Sequence, residues 1–232
     1  MVGEGITQAL SWLLAGDGEV AAVAAMTIQV SGVATLCSVL LGIPLGVWLA
    51  LRDFRGKQLC SALVNFGMGL PPVVVGLFVS LCLWRYGPLG EWELMYTPAA
   101  MMIAQTIIAT PIVGGLSFAA VLSVNPKLRL QLLSLGATPW QASRLLIREA
   151  RLGLLAAVMA GFGRVISEVG ASMMVGGNIK GQTRVLTTAT VMEVGKGNYD
   201  TAIAFSLILL LGAFGVVFML TWLQHKRKSE QK

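Results

Sequence analysis

The chain has 232 residues, 56% of them apolar and 12% charged, and a strongly positive mean hydropathy. That composition excludes a disordered chain and leaves little besides spans and short loops, so one all-α integral membrane domain over residues 1–232 is expected. The formal net charge of +6 would suggest nucleic acid in a soluble protein. Here the basic residues fall mainly in alternate loops, which is a topology signal and not a nucleic-acid patch.

Residues Gly3 to Glu19 carry no Lys or Arg, which argues against a cleaved signal peptide. Ile6, Ala9, Leu10, Leu13 and Leu14 recur at helical spacing and Trp12 suits an interface, so a short helix on the outer surface is expected, ended by Gly16-Asp17-Gly18. A first span follows over residues 20–51. Gly42 and Gly46 form a small-residue pair on it, and Pro44 between them invites a kink. Arg52, Arg55 and Lys57 mark a cytoplasmic loop. The second span, 59–84, contains Gly67, Gly69 and Pro71-Pro72, which cannot sit in an unbroken helix. Trp84, Tyr86, Trp92 and Tyr96 then suit an outer interface. The third span, 98–122, carries Gln105, Pro111, and Thr106 and Thr110 one turn apart on one face.

The polar and basic stretch from Asn125 to Arg151 is the centre of the chain. Leu130 to Leu135 is helical in pattern, Gly136 breaks it, and Thr138-Pro139 is a helix-start signal. The expected product is helix, glycine turn, helix. The second helix carries Trp140, Leu145 and Ile147 beside Arg144, Arg148 and Arg151, so it has an apolar face to bury and charges that keep it inside.

A fourth span, 152–175, holds the chain's most expensive residues, Arg164 and Glu168, spaced i, i+4 so that they can pair. Pairing can fasten helices or line a substrate path; Ser167, Gly163, Gly170 and Ala171 add a small-residue face. Residues 176–200 read as a loop with Lys180 and Arg184, and the fifth span, 202–223, ends in a tail containing His225, Lys226, Arg227, Lys228 and Lys232. The basic loops favour an N-outside, C-inside topology with five spans. Cys37, Cys60 and Cys82 lack metal-ligand spacing and read as small hydrophobes.

Nothing in the chain matches a phosphate loop, a His-Glu-x-x-His zinc motif or a Gly-x-Ser-x-Gly nucleophile, so no catalytic residues are expected. Leu135-Gly136-Ala137-Thr138-Pro139-Trp140 resembles the glycine-centred core of the cytoplasmic "EAA" loop of ABC-importer permeases. This chain has Leu130-Gln131-Leu132 in place of Glu-Ala-Ala and Arg148-Glu149 in place of Leu-Pro. Gly69-Leu70-Pro71-Pro72-Val73-Val74-Val75-Gly76-Leu77, Arg164 to Gly177, and Gly177-Asn178-Ile179-x-Gly181-x-Thr183 are similar to the molybdate and tungstate branch, and the Pro71 to Gly76 run, Ile147-Arg148-Glu149-Ala150-Arg151 and the outer N-terminal helix are most like the tungstate type.

The resemblance implies a permease subunit in a prokaryotic cytoplasmic membrane. Residues 135–140 would couple it to a cytoplasmic ATPase dimer that holds ATP and magnesium, and the chain itself would bind no cofactor. A second permease copy and an outer oxyanion-binding protein are implied as partners, with lipid around the bundle. Thr106, Thr110, Arg164, Ser167 and Glu168 are the candidate pathway residues. The competing classes are an ATPase-independent channel or secondary transporter, which would need no partner at Gly136, and a non-transporting scaffold, which would tolerate loss of Arg164 and Glu168.

Overall fold

The computed structural model describes residues 2–229, and the side chains of these except at positions 2, 13 and 223–229. The side chains of Leu13, His225, Lys226, Arg227 and Lys228, and all of Lys232, lie outside the described residues. Within them the chain is helical: α1 (Val2–Ala15), α2 (Gly18–Leu51), α3 (Lys57–Met68), α4 (Pro72–Leu83), α5 (Pro98–Leu122), α6 (Pro126–Ser134), α7 (Pro139–Glu149), α8 (Arg151–Ile166), α9 (Gly170–Gly176), α10 (Leu186–Gly195) and α11 (Tyr199–Ser229), with a 3-10 turn over Gly90–Trp92.

The bundle is built on α2 and α5. They run parallel, with Ala34 and Ser38 beside Thr106, and Gly46 beside Gly114 and Ser117. A Cβ on Gly42 would lie 2.9 Å from both Gly114 N and Thr110 O, so this seam exists because the sequence keeps side chains off it. Both helices are apolar on nearly every face, as elements immersed in a bundle or in lipid are. Pro44 and Pro111 sit inside continuous helices, so the expected kink at Pro44 does not interrupt α2.

Among the described residues three helices are long and apolar enough to cross a membrane, Gly18–Leu51, Pro98–Leu122 and Tyr199–Trp222; two bent pairs raise the number to five if each counts as one. α3 and α4 meet at 98° across Gly69 to Pro71. Each is 12 residues, about 18 Å, so neither alone crosses a hydrocarbon layer of roughly 30 Å. Pro72 opens α4, where its missing N–H costs no helix hydrogen bond. The break at Pro71-Pro72 is as expected.

Two expectations need correction. Span four is not one helix: α8 and α9 are bent by 58° at Ser167 to Val169, with no proline involved. The stretch read as a loop from Gly176 to Asp200 contains α10, which packs on α2 and α11 through Val20, Val23, Leu186, Ala189 and Ile208. Helix α1 packs with one side along the start of α11, with Trp12 5.3 Å from Phe205 and Gly5 tight against Ile203, and leaves Ile6, Leu10 and Leu14 exposed.

Candidate functional site

Two places gather the residues singled out above, and the first is the hairpin of α6 and α7. Asn125 caps α6 by accepting from Lys127 N–H at 3.0 Å, and Pro126 fills its first turn. The turn is closed by Ala137 N–H to the Leu132 carbonyl and Gly136 N–H to the Leu133 carbonyl, with Gly136 at φ +83°. That backbone conformation is why glycine stands here, for a Cβ would meet nothing within 4 Å and no neighbour forbids one. Thr138 and Gln141 form a reciprocal cap: Thr138 N–H donates to Gln141 Oε1 at 2.8 Å and Gln141 N–H to Thr138 Oγ1 at 3.3 Å.

The hairpin buries almost nothing of its own. α6 has no buried residue, and α7 buries only Ala142 and Leu146, with Ala150 joining Val121 and Leu154 at the root. Leu135 is 84% exposed and Trp140 77%, next to exposed Leu130 and Leu145. Ala137 is half-buried, and Thr138 and Pro139 are exposed. Arg144 and Arg148 line a concavity with Ala137, Gln141, Leu145 and Ile147. Exposed apolar side chains on a capped helix that also carries exposed cations are the chemistry of a docking surface.

The second place is the break between α8 and α9. Arg164 Nη1 lies 3.8 Å from Glu168 Oε2; the arginine side chain is 36% exposed and the glutamate 4%. Glu168 has a second task. Its Oε1 accepts Ala171 N–H at 3.0 Å, capping α9, and its carbonyl accepts the Thr187 hydroxyl at 3.1 Å, tying α10 to the break. A buried carboxylate with a backbone donor and a cation within reach is compensated from two sides.

Of the remaining candidates, Ser167 stands in the break itself, whereas Thr106 and Thr110 lie on α5. Thr106 donates to the Met102 carbonyl and Thr110 to the Thr106 carbonyl, both at 2.7 Å, and Thr106 Oγ1 also lies 3.5 Å from the Ala34 carbonyl of α2. Ser167 is exposed and donates to the Gly163 carbonyl at 2.9 Å. These three protons are therefore already placed on backbone acceptors. Gln105, absent from the candidates, does reach the site: its Nε2 donates to Ser172 on α9 at 2.9 Å, both residues buried, and its Oε1 has no partner among the described residues. The signal was available, since an amide in an apolar span is expensive unless it has a task.

This arrangement of α-helices has the fold of an ABC-transporter membrane subunit. A solved chain described as an amino acid ABC transporter with histidines superposes with a TM-score of 0.68 at 18% identity, covering 92% of this chain and 96% of that one. Residues 42–229 match the model for the binding-protein-dependent transport system inner membrane component, and the chain belongs to that family. It is thus an ABC-importer permease, a membrane subunit and not an enzyme. A probable anion ABC transporter permease protein of Haloferax volcanii is 44% identical over 199 residues, covering 84% of this chain and 86% of that protein. A tungstate uptake system permease protein of Peptoclostridium acidaminophilum is 40% identical over 227 residues, covering 97% and 99%.

Proposed function

We propose that two copies of this chain form the membrane pathway of a tungstate importer. A soluble binding protein delivers the oxyanion outside, and a cytoplasmic ATPase dimer, holding ATP and magnesium, docks on residues 135–140. Each bent pair counts as one span, giving five with the N-terminus outside and the C-terminus inside the prokaryotic cytoplasmic membrane. The observation that carries the substrate is the 40% identity to the tungstate permease along nearly the whole of both chains. Docking is supported by the exposed Leu135 and Trp140 on a hairpin whose own packing does not need them.

Within the pathway Arg164 is the candidate counter-ion, since its guanidinium is partly exposed and Glu168 keeps a backbone donor when Arg164 swings away. One such cation suits passage and release, and selection falls to the binding protein. A second reading, another tetrahedral oxyanion such as molybdate, is favoured by the relative named only for an anion.

The test is uptake by proteoliposomes containing permease, ATPase and binding protein. Tungstate should stimulate ATP hydrolysis only with the binding protein present. Preference for sulfate or phosphate over both metal oxyanions would remove the assignment, and nanomolar tungstate binding to the isolated permease would overturn the low-affinity pathway.

A further inference from the structure

The segment between α9 and α10 is folded onto itself. The Ile179 carbonyl accepts the N–H groups of Gln182, Thr183 and Arg184 at 3.1, 3.0 and 3.0 Å. The Thr183 hydroxyl accepts Ile179 N–H at 3.0 Å and donates to the Gly176 carbonyl. Leu186 N–H is held by Thr27 Oγ1 at 2.9 Å, fixing the segment to α2. The knot presents Lys180, Gln182 and Arg184 toward the first turns of α2, where they enclose a cavity of about 290 Å³ with Glu19, Ala22, Val23 and Met26.

The charges lining this cavity are unequally matched. Lys180 Nζ sits 2.7 Å from Glu19 Oε2, so that lysine has its counter-ion. Arg184 has none: its Nε is buried without a hydrogen-bond partner, and no carboxylate among the described residues lies within ion-pair distance of it. Glu193 feels the arginine's charge, but its carboxylate is taken by Lys196 Nζ and Asn198 Nδ2, each at 2.8 Å. A guanidinium that lines a cavity without a counter-ion, and whose Nε is closed off from water and unbonded, is costly, and its planar terminal nitrogens match a tetrahedral oxyanion. The remaining wall is apolar, formed by Ala22, Val23 and Met26. The space amounts to roughly ten water volumes, more than one oxyanion fills.

We propose that this cavity binds a tetrahedral oxyanion group, held by the fork of Arg184 and flanked by Lys180 and the Gln182 amide. The group is either a free oxyanion or the phosphate of an anionic lipid whose carbon chain lies along Ala22, Val23 and Met26. The site is separate from Arg164 and does not depend on which anion the chain transports.

The full-length protein tests this in two arms. In detergent, delipidated protein is melted with sodium tungstate or sodium phosphate against sodium chloride at equal ionic strength. In nanodiscs of phosphatidylglycerol against phosphatidylcholine, lipid retained on release is counted by native mass spectrometry. One arm should show binding that falls about tenfold or more in Arg184→Gln. Loss in the first arm names the free anion as ligand, and loss in the second the lipid phosphate. Lys180→Gln should matter less, because Lys180 already has Glu19. Should Arg184→Gln fail to fold, Arg184→Lys keeps the charge without the fork and must still weaken binding. Binding that is absent in both arms, or unchanged in these arginine variants, overturns the proposal.

Discussion

The α6–α7 hairpin and the segment from Gly177 to Val185 are both glycine-containing connections, placed near opposite ends of α2, and they treat their side chains in opposite ways. The hairpin satisfies its backbone with caps and leaves Leu135 and Trp140 in the open. The other segment buries Thr183 completely and ties its hydroxyl to two backbone groups. Hydrogen bonds that close on themselves make a rigid wall, whereas apolar groups left uncovered hold their interaction energy for a partner. A damaging change should therefore appear as lost stability at one end of α2 and as lost coupling at the other.

The largest effect separates the two directly. Thr183→Val removes the acceptor for Ile179 N–H and the donor to the Gly176 carbonyl at a fully buried position, and should cost about 2–4 kcal/mol. Thermal melting of the purified permease should fall by several degrees; an unchanged melt would mean that the knot is not rigid. Trp140→Ala should do the reverse, leaving the melt within about 0.5 kcal/mol as exposed positions do. It should weaken ATPase association by about 2 kcal/mol, as an anchor at an interface does. Normal binding-protein-stimulated hydrolysis in reconstituted Trp140→Ala complexes would remove the docking role.

The break between α8 and α9 lies between these extremes. Glu168→Ala strips Ala171 N–H of its cap and Arg164 of its partner. The i, i+4 spacing alone suggests that the double change with Arg164→Ala should be much milder, because the single leaves a charge unpaired. Arg164 is about a third exposed, however, and its charge can turn to polar surroundings, so the double variant should recover under about 1 kcal/mol. Full recovery in a melt would show that the ion pair, and not the cap, holds α9.

What could be read from the residues follows the same division. The Gly136 turn and the Pro71-Pro72 break announce themselves, because glycine and proline act on the backbone locally whatever surrounds them. Helix α10 does not. Leu186 is followed by Thr187, Thr188 and Thr190, β-branched residues that are poor helix formers alone, yet their hydroxyls find the Glu168 carbonyl, Asn178 Oδ1 and the Leu186 carbonyl. The bend after Ile166 is equally silent in sequence, since it is set by Glu168 capping α9 and by Gly170 against Val73 on α4. The face shared by Thr106 and Thr110 is legible from their spacing, but the backbone acceptors that hold their hydroxyls, the Met102 and Thr106 carbonyls, are seen only in the structure. Helix α10 and the bend depend on contacts between separate segments, which periodicity does not contain.

A smaller effect is expected at Gly136 itself. Gly136→Ala forces a Cβ onto a backbone at φ +83° but meets no neighbour, so the cost is about 1 kcal/mol and local to the turn. Insertion and melting should survive while stimulated hydrolysis drops, since the turn sets the angle at which α7 is presented. Equal hydrolysis in glycine and alanine forms would show that the angle is unimportant for docking.

The smallest effect belongs to Glu193, at the far end of α10. Hydrogen bonds from Lys196, then from Asn198, hold its carboxyl below the usual glutamate range, with the charges of Lys196 and Arg184 adding to the same direction. A carboxylate whose folded pKa is depressed binds its proton less readily than in the unfolded chain, so its stabilisation is complete above the ordinary value of 4.5 and fades as pH falls through the lowered one. Glu193→Gln keeps the shape and one acceptor but not the charge. At pH 7 the variant should melt slightly below the parent, and the two curves should converge as the pH is taken below 4.5 toward the lowered value. A gap that persists at acid pH would mean that the glutamine fits badly and that the ion pair with Lys196 contributes nothing of its own.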